Sequence, residues 1–356
     1  MSSLPPLPLP ADPADWPAVR RGLTELIGRE EYGFLPPLET TLRLCDCRPA
    51  ERVDALCKTV EVEATRQGRQ FSFAFNLFVP TAAGRPVPAF LVIVLSRRGV
   101  AEMDPRDRGG DFYPIARLIG RGYACAAFTT REVAPDYEEG FTTGLWRLFP
   151  EYAGEDRPGD MGGALSAWSW AASRIMDWFL QDPDIDEKRV ALVGHSRGGK
   201  TALWTAARDP RFSMVFSSCA GCSGDALSRD KEGERIDHIT RVFPFWFCRN
   251  YRQYARREDA LPFDQHTLLA AIAPRRVYLT ARTEDSWADP SAQFAGALAA
   301  SPAWEQFGLT GLETGRMPAP GEALQRGHVG FHLLPGAHTM DGEDWIRYLT
   351  YSDRYL

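Results

Sequence analysis

The stretch "VALVGHSRGGKTALW", residues 190–204, constrains the fold more than any other part of the sequence. Residues 190–193 form a short apolar run of strand length, and residues 200–208 are rich in helix-forming alanine. Ser196 stands in the turn between them, with a glycine two positions before it and another two positions after it. The spacing G-x-S-x-G is typical of a nucleophile elbow, a sharp strand-to-helix turn that exposes a serine hydroxyl. So short a motif also occurs by chance, so the prediction needs partners elsewhere in the chain.

Strand-like and helical segments alternate along most of the chain. Their spacing predicts an α/β fold with a doubly wound, mostly parallel sheet and helices on both faces. The alternating pattern of residues 53–80 instead predicts antiparallel strands. The predicted parallel strands are residues 87–95, 123–130, 190–193, 212–221 and 275–282, and the predicted helices include residues 16–34, 111–122 and 162–182.

The absence of repeats and low-complexity linkers predicts one domain over residues 16–356, after an extended, proline-rich and poorly ordered lead-in at residues 1–15. Two long connections, 223–270 and 303–327, are predicted as insertions near the active site, since connections of this length are often lids or binding loops. Plain decoration of the surface is the alternative for both.

Composition excludes several classes of function. The 356 residues are 44% hydrophobic and 25% charged, with a net charge of −6 and no basic run, which argues against a nucleic-acid partner. The longest apolar runs are far shorter than the roughly 20 residues that span a bilayer, so a soluble protein without a membrane partner is expected. The N-terminus lacks the features of a signal peptide, which predicts a cytoplasmic protein unless a leader has been removed.

The seven cysteines are odd in number and scattered, so we expect reduced thiols. Cys219 and Cys222 have the spacing of a redox or metal pair. No second pair at zinc spacing accompanies them, and buried or loop thiols are therefore the favoured interpretation.

A catalytic serine needs a base to accept its proton and an acid to orient that base. In α/β-hydrolases the chain order is serine, acid, histidine, with the acid after a late strand. Here "VYLTARTEDSWADP" places Glu284, Asp285 and Asp289 directly after the strand at 275–282, and "PGAHTMDGEDW" places His338 on a turn before a final helix. Asp285 is the first choice of acid and Glu284 its rival, while Asp289 is also placed to cap the next helix.

The remaining candidates have weaker contexts. His195 adjoins the nucleophile and is predicted to point away across the elbow as a packing residue. His332 alternates with apolar neighbours and is predicted to lie in a strand. His266 is predicted at a helix start or in a substrate loop, and Trp246 and Trp287 are candidates for stacking on a sugar. Packing in the core or in a lid is the alternative for Trp246.

Beyond these patterns, the stretches "GHSRGGKTALW", "SAWSWAASRIMDWFLQDPDIDEKRVALVG" and "LPFDQHTLLAAIAPRRVYLTARTEDSWADP" carry a family resemblance. With "PGAHTMDGEDW", they make residues 80–356 similar to bacterial members of carbohydrate esterase family 15, the glucuronoyl esterases. The resemblance implies the α/β-hydrolase fold, no metal and no cofactor. It also implies cleavage of an ester between 4-O-methyl-glucuronic acid and a lignin alcohol.

The resemblance also implies roles for individual residues. Ser196 would be the nucleophile and His338 the base, and Arg197 would support the oxyanion through its backbone N–H and guanidinium. Lys200 would hydrogen-bond sugar hydroxyls, and Trp287 would line the sugar site. Two cations at a helix N-terminus oppose the helix dipole, which suggests that they meet an anion or a polar ligand rather than only solvent.

One position departs from the family pattern. Many members carry a catalytic glutamate after the strand that follows the elbow, where this chain has Cys219 in "SSCAGCSGD". The acid is therefore expected from Asp285 or its neighbours. The substrate is expected to be a small-molecule or polysaccharide ester. The alternatives are a sugar deacetylase with a smaller acyl pocket and a catalytically silent domain that binds carbohydrate.

Overall fold

The computed structural model describes residues 3–82, 84, 86–95, 112–153 and 157–356. The predicted lead-in and the helix predicted over 111–122 begin outside the described residues, at 1–2 and at 111 respectively. Within these residues the strands are β1 (Glu39–Pro49), β2 (Ala55–Arg66), β3 (Arg69–Pro80), β4 (Val87–Val94), β5 (Ala124–Thr129), β6 (Ile185–His195), β7 (Met214–Ser218), β8 (Arg276–Arg282), β9 (Ala323–Leu324) and β10 (Val329–Leu334).

The α-helices of the described residues are α1 (Trp16–Ile27), α2 (Ile115–Gly120), α3 (Thr130–Val133), α4 (Ala164–Phe179), α5 (Arg197–Arg208), α6 (Ile236–Val242), α7 (Gln265–Ala270), α8 (Pro290–Ala300), α9 (Pro302–Glu305) and α10 (Gly342–Tyr355). Within the same ranges, no helix is long and apolar enough to cross a membrane.

All ten described strands belong to one sheet, in the order β1-β2-β3-β5-β4-β6-β7-β8-β10-β9. The central strands β5, β4, β6, β7, β8 and β10 pair in parallel, whereas β1, β2 and β3 extend one side antiparallel and β9 closes the other. The predicted mostly parallel sheet is confirmed. Because parallel neighbours end at the same edge, the turns after β6, β7, β8 and β10 come together there.

Helices cover both faces of this sheet, as predicted. Side chains alternate between the faces along β4, and both sets are buried. Leu91 packs in a cluster of buried residues to which α1, α4, α5, α7 and α8 contribute side chains. Phe90 faces the opposite way, toward α2 and α10, and its ring lies 5.8 Å from that of Trp345.

Several predicted boundaries differ from the structure. The strand predicted at 190–193 is the inner part of a longer β6, and α5 begins at residue 197 rather than 200. The helix predicted over 16–34 ends as α1 at Ile27 and continues as one turn of π-helix, Gly28–Tyr32. Gly33 then adopts a φ of 79°, which favours glycine and ends the helical turn.

The lead-in and the long connections also take defined places. Residues 3–10 contain no helix or strand, and the Pro5 carbonyl lies 3.0 Å from Nε2 of His266. This contact joins the described part of the lead-in to α7. The connection 223–270 contains α6 and α7, and the connection 303–327 contains β9.

A buried acid lies beneath the loop that follows β7. Glu31 is fully buried, and Nε2 of Gln265 donates to both of its carboxyl oxygens at 3.2 Å. The hydroxyl oxygens of Tyr251 and Ser223 lie 2.8 Å apart, and both groups help to lower the pKa of this carboxyl. Burial raises the pKa of Glu31 to about 8 despite these hydrogen bonds. The acid is therefore protonated in the folded protein near neutral pH.

We expect this carboxyl to make the protein less stable as the pH rises. The pKa of Glu31 is higher in the folded protein than in the unfolded chain. The stabilisation by its protonated carboxyl is therefore complete below about pH 4.5 and is lost as the pH rises through about 8. Relative to Glu31→Gln, the wild-type free energy of unfolding should fall by about 4 kcal/mol between pH 5 and pH 9. Urea unfolding across this range measures it, with Glu25→Gln on the exposed face of α1 as control. If the free energy of unfolding changed with pH in the same way for wild type and Glu31→Gln, the raised pKa of Glu31 would be contradicted.

Candidate active site

The turn after β6 has the geometry that the sequence motif predicts. Ser196 has φ 58° and ψ −127°, an unusual backbone conformation for a residue with a side chain. Its N–H donates to the carbonyl of Ser218 at 2.7 Å, which binds the turn to the end of β7. A Cβ atom at Gly194 would lie 2.0 Å from the carbonyl oxygen of Gly198, so glycine is required for the strand and the helix to approach this closely.

His338 and Asp285 form a hydrogen-bonded pair at the same edge of the sheet. Nδ1 of His338 lies 2.7 Å from Oδ2 of Asp285, and the other carboxylate oxygen accepts the N–H of Ala288 at 3.2 Å. Burial favours the neutral acid, but the hydrogen bond from His338 and its charge outweigh it and hold the pKa of Asp285 below its usual range. A carboxylate on Nδ1 keeps the ring proton there and leaves Nε2 free to accept a proton.

Backbone hydrogen bonds hold the two turns that carry this pair against each other. The N–H of Thr283 donates to Leu334, and the N–H of Glu284 donates to Gly336, both at 2.9 Å. The buried guanidinium of Arg282 also donates to the carbonyl of Pro335 and to Asp344 at the start of α10. The turn of His338 is thereby fixed to the end of β8.

The imidazole of His338 lies beside the elbow. Its ring centroid is 4.7 Å from that of His195, the residue that precedes the nucleophile candidate. The prediction that His195 points away from the catalytic residues is therefore wrong, although its ring is buried as a packing residue would be. Burial, followed by the charge of His338, lowers the pKa of His195 to about 3, so this ring stays neutral.

Cys219 is a buried residue close to Asp285 and His338. It follows β7 with φ 49°, and its N–H donates to the carbonyl of Thr280 in β8 at 2.9 Å. The thiol donates to the carbonyl of Thr339 at 3.8 Å, lies within 4.8 Å of a carboxylate oxygen of Asp285 and helps to lower the pKa of that carboxyl. Burial raises the pKa of Cys219 itself, so the sulfur is held as a neutral thiol.

Arg197 is held by an acid that the sequence analysis did not single out. Nε of Arg197 donates to Oδ2 of Asp136 at 2.5 Å, and Nε1 of Trp246 donates to the other oxygen of the same carboxylate at 2.8 Å. The guanidinium lies 5.7 Å from the centre of the Trp246 ring. One carboxylate therefore positions both the cation beside the elbow and the tryptophan behind it.

Trp246 is placed differently from the prediction. It is 4% exposed, and Phe243 stacks parallel to its ring at 3.8 Å. With Phe243 stacked on it and Arg197 beside it, its ring offers no free face to a sugar. Its contacts assign it to the support of Arg197 instead of to substrate stacking.

Lys200 and Trp287 lie around one further acid, Glu234. Nζ of Lys200 donates to the Ala220 carbonyl and is 3.9 Å from Oε2 of Glu234, while the N–H of Glu234 donates to the carbonyl of Trp287 at 3.0 Å. Gly233 allows this approach, because it has φ 68° and a Cβ there would lie 2.4 Å from the Ser286 carbonyl oxygen. Trp287 is 49% exposed, so its ring is open to solvent, and the ring of His238 lies edge-on to it at 4.8 Å.

The two rival carboxylates lie apart from the imidazole. The Glu284 side chain is exposed to solvent, and it is the backbone N–H of this residue that bonds the neighbouring turn, at the carbonyl of Gly336. Asp289 caps α8 by accepting the N–H of Ala292 at 3.0 Å, and it also accepts the N–H of Glu232 at 2.8 Å. Among the three, Asp285 is the one that hydrogen-bonds His338.

His266 and His332 have structural positions. His266 is 2% exposed at the start of α7, and its Nε2 faces the Pro5 carbonyl, so the predicted substrate contact does not fit its burial. His332 lies in β10, as predicted, between the hydroxyl of Tyr278 and the carboxylate of Asp344.

Asp136 and Glu234 are the residues that sequence reasoning missed. They occur in the polar runs "APDYEEG" and "DKEGERID", where an acid is unremarkable. Nothing in their local pattern indicates which cation they contact, because those contacts depend on how distant loops pack.

Comparisons with known proteins identify the family of this chain. A sequence model of a family described as glucuronyl esterase, fungi, matches residues 62–308, which include Ser196 and Asp285 but end before His338. Carbohydrate esterase MZ0003 from an unknown prokaryotic organism is 39% identical over 246 residues, 68% of this chain and 56% of that protein. The 4-O-methyl-glucuronoyl methylesterase of Podospora anserina is 25% identical over 306 residues, 83% of this chain and 57% of that protein.

The solved glucuronoyl esterase from Solibacter usitatus superposes with a TM-score of 0.90 at 31% identity, covering 99% of this chain and 98% of that one. Fold and sheet topology thus define an α/β-hydrolase, as predicted. The chain belongs to the glucuronoyl esterase family, carbohydrate esterase family 15. Its matches span a little over half the length of the curated relatives named above.

Proposed function

We propose that this chain is a serine esterase that hydrolyses an ester of a glucuronate carboxyl group, as the names of its relatives suggest for those proteins. The observation that carries the proposal is the 2.7 Å pair of His338 and Asp285 beside the strained turn of Ser196. The substrate would be a sugar or polysaccharide ester, and no cofactor takes part in the proposed steps.

The mechanism would be acyl transfer in two steps. Ser196 attacks the ester carbonyl carbon while Nε2 of His338 accepts the hydroxyl proton, and Asp285 stabilises the imidazolium that forms. The Arg197 guanidinium and the N–H groups at the start of α5 stabilise the oxyanion. His338 then protonates the leaving alcohol, and water hydrolyses the acyl-enzyme with the same groups in reverse.

Recognition of the sugar would fall to the group around Lys200. The exposed ring of Trp287 offers an apolar face, and the buried Lys200 ammonium and Glu234 carboxylate would supply a donor and an acceptor to hydroxyls once they turn toward the sugar. These groups support a carbohydrate substrate over a simple acyl ester, since an acetyl group alone would use none of them.

A panel of esters tests the proposal. Purified protein is assayed with the methyl and benzyl esters of 4-O-methyl-glucuronate, with acetylated xylan and with p-nitrophenyl acetate, and Ser196→Ala serves as the blank. The proposal predicts the highest kcat/KM for the glucuronate esters. Preference for acetylated xylan would support the deacetylase alternative, and the absence of any turnover would support the silent binding domain.

The position of Arg197 gives a further prediction. Asp136→Ala should lower kcat by about 10- to 100-fold, because the guanidinium loses its partner and shifts from the position required in the transition state. KM should change less, since the Lys200 and Trp287 group is untouched. Steady-state kinetics on the preferred ester measures both values.

Asp136→Asn is the matched variant for this prediction. It keeps an oxygen that can accept the N–H of Trp246 but removes the charge that pairs with Arg197. We expect its kcat to lie between those of wild type and Asp136→Ala. Equal kcat values for all three proteins would exclude a positioning role for this carboxylate.

A further inference from the structure

Three side chains at the candidate active site have the chemistry of metal ligands. Sγ of Cys219, a carboxylate oxygen of Asp285 and a ring nitrogen of His338 all lie within 4.8 Å of one another. They follow β7, β8 and β10, so three adjacent ends of the parallel sheet deliver them to one point. Cys219 and Asp285 are 1% and 4% exposed, whereas the His338 side chain is 42% exposed. The cluster is therefore buried at Cys219 and Asp285 and open to solvent at His338.

The spacing of this cluster is near that of a zinc site. Zinc bonds of about 2.0–2.3 Å to nitrogen, oxygen and sulfur place the ligand atoms of a tetrahedral site about 3.3–3.6 Å apart. Adjustments of about 1 Å in the side chains would bring these three atoms to that spacing. A thiolate, an imidazole and a carboxylate are all common zinc ligands, and three protein ligands leave a fourth position for water.

We propose that Cys219, Asp285 and His338 bind Zn²⁺ or a related thiolate-binding divalent cation, and that the bound metal reversibly inhibits the chain. Metal binding itself does not depend on the proposed esterase activity, whereas the inhibition does. The metal is an inhibitor in this account and plays no part in ester hydrolysis.

The inhibition follows from the single ring proton of a neutral imidazole. Nδ1 of His338 faces Asp285, so a metal held between these groups takes that nitrogen. The ring proton then moves from Nδ1 to Nε2, and the thiol proton of Cys219 leaves to solvent as the sulfur–metal bond forms. No electron is transferred. Nε2 now carries a proton and can no longer accept the one from Ser196.

Cys219 is the ligand that makes the site selective. A carboxylate and an imidazole alone supply only two ligands, and zinc prefers a set that includes thiolate. Cys219→Ser keeps a side chain of similar shape but offers a much weaker ligand. We expect the zinc concentration for half-inhibition to rise by at least about 10-fold in this variant, measured against its own zinc-free rate.

The experiment must first remove the two exposed thiols. Cys45 and Cys47 are exposed on β1 and could bind metal themselves. Cys45→Ser/Cys47→Ser is therefore the background, with and without Cys219→Ser. Each protein is stripped with EDTA and titrated with Zn²⁺ during hydrolysis of its fastest ester, and EDTA is then added back. In parallel, Co²⁺ is added and the thiolate-to-cobalt charge-transfer absorption is recorded in the near ultraviolet.

The proposal predicts inhibition of the background protein that EDTA reverses, and a charge-transfer band that Cys219→Ser abolishes. Equal zinc sensitivity with and without Cys219, or a band that survives its replacement, would overturn it. A band without inhibition would overturn the inhibitory part alone. If the chain hydrolyses none of the esters, the cobalt band still tests the site, so failure of the proposed function is distinguished from failure of this inference.

Discussion

Replacing Ser196 with alanine is expected to lower kcat for ester hydrolysis by about 10⁴- to 10⁶-fold. The strained turn after β6 presents this hydroxyl at the sheet edge where His338 and Asp285 meet. Without the hydroxyl no acyl-enzyme can form, and only binding and oxyanion stabilisation remain to accelerate attack by water. Steady-state kinetics on the preferred glucuronate ester measures the loss.

The base and the nucleophile should behave as one unit. His338→Ala is expected to lower kcat by a similar factor, and Ser196→Ala/His338→Ala should be no slower than the worse single variant. Ser291→Ala, on the exposed side of α8, is the control and should keep wild-type kcat. Losses that multiply in the double variant would show that the two residues act independently, contrary to the proposed mechanism.

The second large effect concerns the acid. Asp285→Asn is expected to lower kcat by about 10²- to 10⁴-fold. The amide carries no charge to stabilise the imidazolium, and its NH₂ group favours the tautomer of His338 that has the proton on Nε2. The fold should be retained, because the amide is the same size as the carboxylate and can still accept the N–H of Ala288.

The neighbouring carboxylates are the matched controls. Glu284→Gln should leave kcat within about twofold of wild type, since its exposed side chain takes no part in the pair. Asp289→Asn should affect stability more than kcat, because the carboxylate caps α8 and holds the N–H of Glu232. A larger loss for Glu284→Gln than for Asp285→Asn would reassign the acid.

Local patterns were sufficient for the centre of the fold. The parallel strands are buried on both faces and read as apolar runs, and the G-x-S-x-G turn is specified by sterics within five residues. Strand β1 was missed, because nine of its 11 residues are exposed and only Thr40 and Leu42 are half-buried, so no buried face marks it as a strand. The π-helical turn at Gly28–Tyr32 likewise has no periodic signal of its own.

In the candidate site, too, some residues could be predicted from local sequence patterns and others could not. Ser196, His338 and the acidic turn that holds Glu284, Asp285 and Asp289 could be chosen from their order and from the strands before them, since the ends of parallel strands meet; the choice among the three acids stayed open. For Trp246 and His266 the sequence left a substrate role open beside packing and a helix start, because a lone aromatic or histidine does not reveal its burial; both are buried, and His266 lies at the start of α7. Asp136 pairs with Arg197, and Glu234 lies near Lys200. Both acids come from loops whose contacts are set by tertiary packing.

Fluorophosphonate labelling tests the central claim most directly, because only an activated serine reacts quickly with this probe. Wild-type protein, Ser196→Ala, His338→Ala and Asp285→Asn are each treated with the probe, and the labelled peptide is located by mass spectrometry. The account predicts a single phosphonyl group on Ser196, none on Ser196→Ala, and much slower labelling of the His338 and Asp285 variants. Labelling at another residue, or undiminished labelling of His338→Ala, would contradict it.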